Sequence, residues 1–129
     1  MADQNDVRRI ARSLPETSEG DQHFAFSVHN KGKQKDFVWV WMERVRPKAP
    51  RVPNPDVLAV RVADQDVKEL VLESDPDKYF TEPHYNGFPA VLVRLPKIGV
   101  DDLTMLITEA WRCQAPRALV VGYDRSSQT

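Results

Sequence analysis

The stretch that decides the fold of this chain is Tyr79–Leu95, with the sequence YFTEPHYNGFPAVLVRL. Its first half contains two prolines and an Asn-Gly pair, which are typical of turns because proline fixes φ and Asn-Gly tolerates a positive φ. Its second half, AVLVRL, is rich in β-branched residues and is interrupted only by Arg94. The pattern predicts a shaped loop that leads into a strand near the middle of a sheet.

The composition is that of one globular domain covering residues 1–129, of which 41% are hydrophobic and 29% are charged. A chain of this length buries about two-thirds of its unfolded surface, which is enough for one core without disulfides. Lys and Arg number 18 and Asp and Glu 19, for a net charge of -1. Attraction to nucleic acid or to a membrane therefore has to come from a local patch.

Two further features of the sequence indicate the cellular compartment of the protein. Cys113 is the single cysteine, so no intramolecular disulfide can form, which fits a reducing environment. The N-terminus has no apolar signal region, and no run approaches the roughly 18 apolar residues needed to span a bilayer. We expect a cytoplasmic protein without membrane contact.

Alternation and turn residues predict three strands upstream of the deciding stretch. His23–His29 alternates between apolar and small or polar residues and leads into a turn centred on Gly32. Asp36–Met42, DFVWVWM, is apolar on both faces, with Phe37, Trp39 and Trp41 expected on one face and Val38, Val40 and Met42 on the other. Such a strand is typically covered twice or reserves one face for a partner. Residues 43–56 contain four prolines and predict a long basic loop. Strand Val57–Val62 follows.

Three helices are predicted from capping residues and apolar stripes at helical spacing. Their starts are Asp3, Asp64 and either Asp101 or Asp102, and the prolines that end them are Pro15, Pro76 and Pro116. Residues 118–121 form a short apolar segment of uncertain type. The core is expected to span about residues 3–116, and residues 122–129 are expected to form a flexible tail.

The order of these elements predicts an α+β fold in two layers. Hairpin-linked strands with early, middle and late helices pack most economically as an antiparallel sheet of four to six strands with three helices on one face. The strand residues expected to face the helices are Leu58, Val60, Val62, Val91, Val93 and Leu95. Arg61 and Arg94 are expected on the opposite face, which is open to solvent or to a partner.

The chain contains no catalytic motif of the nucleophile-elbow, phosphate-loop or HExxH type, so we expect a protein that is not an enzyme and needs no cofactor. Cys113 lies in the last turn of the third helix, where the negative end of the helix dipole disfavours a thiolate. The three histidines, together with Glu19 and Glu82, match no structural zinc spacing. No metal site is predicted.

Three groups of residues suit contact with nucleic acid, because cations contact phosphates and aromatic faces stack on bases. They are Lys31, Lys33 and Lys35 at the hairpin tip, Arg44, Arg46, Lys48 and Arg51 in the proline loop, and Trp39 and Trp41 near Arg61 and Arg94 on the open face. Each group also has a purely structural interpretation. Lysines at a hairpin tip are usually solvated, and tryptophans on a strand usually belong to the core.

His84 and Tyr85 lie in the turn-rich half of the deciding stretch, and each has a polar tip on an apolar body. They could line a site for a small ligand or a protein segment, together with the tryptophans. The structural interpretation is that His84 hydrogen-bonds a backbone group and fixes the loop, because buried polar groups are usually satisfied locally.

Several segments, in this order and spacing, resemble the MmcQ/YjbR family of small bacterial proteins. They are LPETSEG at 14–20, HFAFSV at 23–28 followed by the Lys-Gly hairpin, PHYNG at 83–87, VLVRL at 91–95 and EAWR at 109–112. The resemblance covers roughly residues 5 to 115. It implies a two-layer fold related to secretion-chaperone-like folds and offers no catalytic residues to carry over. The loop at 46–55 is more proline-rich than expected of the family.

The resemblance also implies a partner. The family is often described as DNA-binding, because its sheet resembles a double-wing DNA-binding domain, and that description is an analogy between folds. Two hypotheses follow from the sequence. The first is a module that binds DNA or RNA through the open sheet face, the basic hairpin and the basic loop. The second is a domain that binds a protein or a small ligand through the His84–Tyr85 loop and the aromatic residues.

Overall fold

The computed structural model describes residues 1–127 as one antiparallel sheet covered by helices on one face. The helices are α1 (Gln4–Arg12), α2 (Gln65–Ser74), α3 (Val100–Gln114) and α4 (Arg117–Ser127). The strands are β1 (Thr17–Glu19), β2 (Ala25–Asn30), β3 (Lys33–Glu43), β4 (Val52–Arg61), β5 (Tyr79–Phe80) and β6 (Ala90–Arg94). Their order across the sheet is β1-β2-β3-β4-β6-β5, and each neighbouring pair is antiparallel. The predicted α+β class is confirmed, with one helix more than expected among these residues.

The core lies between the sheet and the helices. All six strand residues that were predicted to face the helices are buried in this core. Asp3 caps α1 as predicted, and Val7, Ile10 and Ala11 on the inner face of α1 are fully or almost fully buried. Burial of each large aliphatic side chain stabilises the fold by about 1.5–3 kcal/mol, so this layer supplies most of the driving force for folding.

The hairpin between β2 and β3 turns at two residues with positive φ, Lys31 and Gly32, which is typical of a tight two-residue hairpin turn. A bulge interrupts the pairing of β3 with β2 between Phe26 and Ser27. Because a bulge shifts the alternation of side chains, Phe37 and Val38 both enter the core under the helices. The sequence pattern had placed Phe37 on the same face as Trp39, and this assignment was wrong.

Strand β4 begins at Val52, five residues earlier than predicted, although Pro53 and Pro55 lie within it. Residues 52–56 pair only with the end of β3, because β6 pairs with residues 57–61. This part of β4 therefore has a free edge, where the missing N–H of a proline is tolerated. The predicted loop shrinks to residues 44–51, and β3 and β4 form a long hairpin.

The helix α4 replaces the tail that was predicted to be flexible from residue 122 onward. Leu119, Val120 and Tyr123 pack against the core. Arg112 of α3 binds Asp124 through an ion pair of 2.6 Å, which ties the two helices together. The carbonyl of Pro116 accepts the first hydrogen bonds of α4, so this proline ends one helix and begins the next. Residues 128–129, the end of the predicted tail, lie outside the described residues.

Among the helices of the described chain, none combines the length and the apolar composition needed to cross a bilayer.

Candidate functional site

The sheet face away from the helices carries a second apolar cluster. Its buried floor consists of Val57, Ala59 and Leu92. Four partly buried rings pack on this floor: Trp39, Trp41, Phe80 and Tyr85. The exposed Phe88 packs against Trp39, and we call these five rings the aromatic face. The predicted open face is therefore covered by its own aromatic side chains rather than being bare.

Both arginines that were predicted for this face lie over phenylalanine rings. The guanidinium carbon of Arg94 is 4.1 Å from the centroid of the Phe80 ring, and that of Arg61 is 5.3 Å from the centroid of Phe88. Such cation–π contacts contribute about 0.5–1 kcal/mol at exposed sites. Each arginine therefore lies over a ring of the aromatic face with its charge still close to the surface.

The two phenylalanines connect these arginines to the tryptophans. Phe80 packs edge-on against Trp41 at 5.6 Å, and Phe88 packs edge-on against Trp39 at 6.2 Å. Sequence reasoning placed the tryptophans near the arginines but missed both phenylalanines. Phe80 reaches this face because β5 pairs with β6, opposite Leu92, and a two-residue strand leaves no periodic signal.

A buried lysine from the helix layer holds the loop that carries Tyr85 and Phe88. Lys68 of α2 is only 4% exposed, and its ammonium group donates to the carbonyl of Tyr85 at 2.6 Å and to that of Phe88 at 2.8 Å. Burial lowers the pKa of Lys68. Sequence reasoning missed this residue. Lys68 directly follows Val67, which belongs to the apolar stripe of the helix, and a lysine beside such a stripe is normally expected to point into solvent.

The same loop contacts the sheet directly through Tyr85, whose hydroxyl oxygen accepts a hydrogen bond of 3.1 Å from the indole nitrogen of Trp39. His84 does not take the role predicted for it. Its ring is exposed, and in the described chain its contact is an edge-on packing against Tyr85 at 5.6 Å, without a side-chain hydrogen bond. The loop is fixed by Lys68 instead.

The basic residues of the proline loop lie at the tip of the β3–β4 hairpin. Arg44, Arg46 and Lys48 are exposed there. Arg51 is half-buried, because its guanidinium donates to the carbonyl of Met42 at 2.9 Å and lies 4.0 Å from Glu82. Three cations of this group are thus presented to solvent beyond the end of the aromatic face, and Arg51 fixes the hairpin.

The other basic group does not join this surface. Lys31, Lys33 and Lys35 surround the turn at the opposite end of β3, which has 11 residues. At a rise of about 3.3 Å per residue, the two basic groups are about 33 Å apart. The structure therefore brings the aromatic face close to the β3–β4 hairpin tip and separates it from the β2–β3 hairpin tip.

A cleft of about 340 Å³ opens beside the aromatic face. It is lined by His23, Asp36, Trp39, Arg61, Phe88 and Gln114. Partial burial raises the pKa of Asp36, while the nearby His23 acts in the opposite direction. The cleft thus combines two aromatic walls with groups that can donate and accept hydrogen bonds.

The described residues offer no alternative centre for metal or thiol chemistry. Within residues 1–127, no three His, Cys, Asp or Glu side chains are grouped so that they could hold a metal ion. Glu19 is engaged by Arg8 and Arg12. Cys113 is exposed, and the partial burial of its thiol raises its pKa, which disfavours a reactive thiolate.

Comparison with known proteins agrees with this architecture. The chain is 41% identical to an uncharacterized protein of Mycobacterium tuberculosis and to one of Mycobacterium bovis, each over 98% of this chain and 99% of the relative. The crystal structure of Deinococcus radiodurans protein DR2400 superposes with a TM-score of 0.62 at 19% identity, over 86% of this chain and 77% of that one, and supports the fold alone. Residues 12–113 match the model of the YjbR family. The chain therefore belongs to the YjbR family.

Proposed function

We propose that this protein binds single-stranded nucleic acid across the aromatic face, with the tip of the β3–β4 hairpin contacting phosphates. The observation that carries the proposal is the position of Trp39 and Trp41 on one partly exposed face, next to two rings that lie under arginines. Stacking of a base on an aromatic side chain contributes about 1–3 kcal/mol and tolerates any base. The arginines add positive charge where a stacked strand would pass.

The charge distribution supports a local contact of this kind. The whole chain has a net charge of -1, so long-range attraction to a polyanion is absent. Arg44, Arg46 and Lys48 are exposed at the hairpin tip beyond Trp41, which pairs with Asn54 just before the end of the ladder. If a base of a nucleic-acid strand stacks on Trp41, the next few phosphates of that strand would thus lie near these cations.

The geometry favours a single strand over a duplex. In a duplex the bases are already stacked on one another, so their faces cannot reach an aromatic side chain, whereas the bases of a single strand can. A helix could read a duplex by entering its major groove, but the helices of the described chain pack on the opposite face of the sheet.

The test is a fluorescence-anisotropy titration of a labelled single-stranded oligonucleotide and of the same sequence as a duplex, at low salt. We expect the single strand to bind more tightly. Trp39→Ala should weaken single-strand binding by about tenfold or more, the loss that corresponds to one stacking contact. Leu70→Ala on α2, which is exposed on the helix side, is the matched control and should bind like the wild type. Absence of binding to either form at low salt would refute the proposal.

The cleft beside Trp39 favours a second candidate, a domain that binds a small planar ligand. Its volume of about 340 Å³ lies within the range of small-molecule sites. Asp36, Arg61 and Gln114 supply polar groups around two aromatic walls. A protein that fails to bind oligonucleotides, but whose Trp39 indole resonance shifts saturably with a heteroaromatic fragment, would establish this alternative.

A further inference from the structure

A groove on the helix side of the sheet lies apart from the aromatic rings, although Arg61 lines both this groove and the cleft beside Trp39. It has a volume of about 490 Å³ and lies between α2 and α3. Its middle is apolar, formed by Val62, Val67, Val71, Met105 and Leu106. Met105 is 69% exposed on the wall of the groove, so its apolar surface is available to a ligand.

The shape of the groove fits a slender occupant. Asp102 and Cys113 line its two ends along α3, and a rise of about 1.5 Å for each residue step from 102 to 113 gives a length of about 16 Å. A volume of about 490 Å³ lies within the range of small-molecule sites, so a linear hydrocarbon chain can lie along the groove.

Charge at one end of the groove indicates the head group. Lys78 lies 3.2 Å from a carboxylate oxygen of Asp102 and 3.5 Å from one of Asp75. One lysine thus faces two carboxylates, and Asp75 also accepts a hydrogen bond of 3.1 Å from the backbone N–H of Asp77. The other two charged residues of the lining, Arg61 and Glu109, have opposite charges, so the whole lining has a net charge of -1. A cationic head group would balance that charge, whereas a carboxylate would add to it.

A phenol beside this cluster adds a neutral hydrogen-bonding group. Tyr79 lines the same end of the groove and is half-buried, and burial raises its pKa, so the hydroxyl stays protonated at neutral pH. In the described chain no side-chain hydrogen bond occupies this hydroxyl, which leaves its oxygen available to accept from an ammonium group.

We propose that the groove between α2 and α3 binds a linear aliphatic amine, with its chain along the apolar floor and its ammonium group at Asp75, Asp102 and Tyr79. The site is distinct from the aromatic face and does not depend on nucleic-acid binding. It places a small-molecule ligand on the helix layer of the protein.

The test is calorimetric titration with decylamine, with decanoate as the probe of opposite charge, both below the concentration at which they form micelles. We expect saturable binding of decylamine and at least tenfold weaker binding of decanoate. Asp102→Asn should weaken decylamine binding about tenfold, the loss expected for one charge-assisted hydrogen bond. Asp101→Asn, an exposed neighbour that does not line the groove, is the matched control and should bind like the wild type.

Two further readouts complete the test. Amide chemical-shift changes caused by decylamine should concentrate on Val67, Val71 and Leu106, and Leu106→Trp should abolish binding by filling the groove. If that variant does not fold by circular dichroism, the Asp102 and Asp101 variants decide. Equal affinity for decylamine and decanoate, equal effects of the two aspartate variants, shifts outside the groove, or no saturable binding would each overturn the proposal.

Discussion

Trp39 donates its indole hydrogen to the hydroxyl oxygen of Tyr85 at 3.1 Å, across 46 residues of sequence. This bond joins the middle of the sheet to the loop after β5. On its other side the loop is held by Lys68, which reaches it from the helix layer. The geometry of the aromatic face therefore depends on this loop, which has two anchors: the Trp39–Tyr85 hydrogen bond and the hydrogen bonds from Lys68.

Tyr85→Phe tests the first anchor. The change removes the acceptor for the indole hydrogen while it keeps the ring, so we expect destabilisation by about 1 kcal/mol in urea denaturation. His84→Ala is the control in the same loop. Because His84 is exposed and lacks a side-chain hydrogen bond in the described chain, its removal should change stability by less than about 0.5 kcal/mol. Equal effects of the two variants would contradict this account of the loop.

Lys68→Met tests the second anchor. The change removes the ammonium group that donates to the carbonyls of Tyr85 and Phe88, each of which keeps one backbone hydrogen bond, and should destabilise the fold by about 1–3 kcal/mol. Hydrogen exchange of the amides at 83–88 should accelerate more than exchange in β3. Glu69→Gln, on the exposed side of α2, should change neither quantity. A loop that exchanges as slowly in the methionine variant as in the wild type would show that Lys68 does not hold it.

Glu19 gives a prediction on pH. The hydrogen bond from Arg8 is the main cause that lowers the pKa of Glu19 below its ordinary value near 4.5, and the hydrogen bond from Arg12 lowers it further. A carboxylate whose pKa is lower in the folded state adds stability above its unfolded pKa, and this stability is lost as the pH falls through the folded pKa. Glu19→Gln should therefore cost about 0.5–1 kcal/mol at pH 7 and less below pH 4.

The measurement is urea denaturation of the wild type and of Glu19→Gln at several pH values. Glu16→Gln, a nearby exposed glutamate, is the control and should leave the profile unchanged. A gap between wild type and Glu19→Gln that stays constant from neutral to acidic pH would show that the ion pairs with Arg8 and Arg12 contribute no stability.

The elements that could be predicted from the sequence are those defined by local signals. The cap at Asp3, the turn at Gly32 and the alternation around Val60 each depend on neighbouring residues, and the structure has all three. Helix α4 was missed, because Pro116 was interpreted as an end only and not also as the start of a new helix.

The candidate site was harder to predict because its geometry depends on long-range pairing. Phe80 joins the aromatic face through its pairing with Leu92, and Lys68 reaches a loop 17 residues away. The periodicity of the sequence indicates neither the pairing of Phe80 nor the contact of Lys68 with the loop. The two basic groups are close in sequence, and the strand predicted between them, Asp36–Met42, is shorter than the observed β3 of 11 residues, which places them at opposite ends of that strand.

The salt dependence of single-strand binding in two matched charge-reversal variants tests the central claim most directly. One variant changes Arg46 and Lys48 to Glu at the β3–β4 hairpin tip, and the other changes Lys31 and Lys33 to Glu at the opposite end of β3. Arg51 is left intact because it binds the carbonyl of Met42. Each phosphate contact with a single strand contributes about 0.7 to the slope of log K against log salt.

We predict that the Arg46 and Lys48 reversal weakens binding and flattens this slope by about 1.4, the value for two phosphate contacts. The Lys31 and Lys33 reversal should leave the slope within error of the wild type, because those lysines lie about 33 Å from the hairpin tip. Equal flattening by the two variants, or flattening by the Lys31 and Lys33 reversal alone, would contradict a site built from the aromatic face and the β3–β4 hairpin.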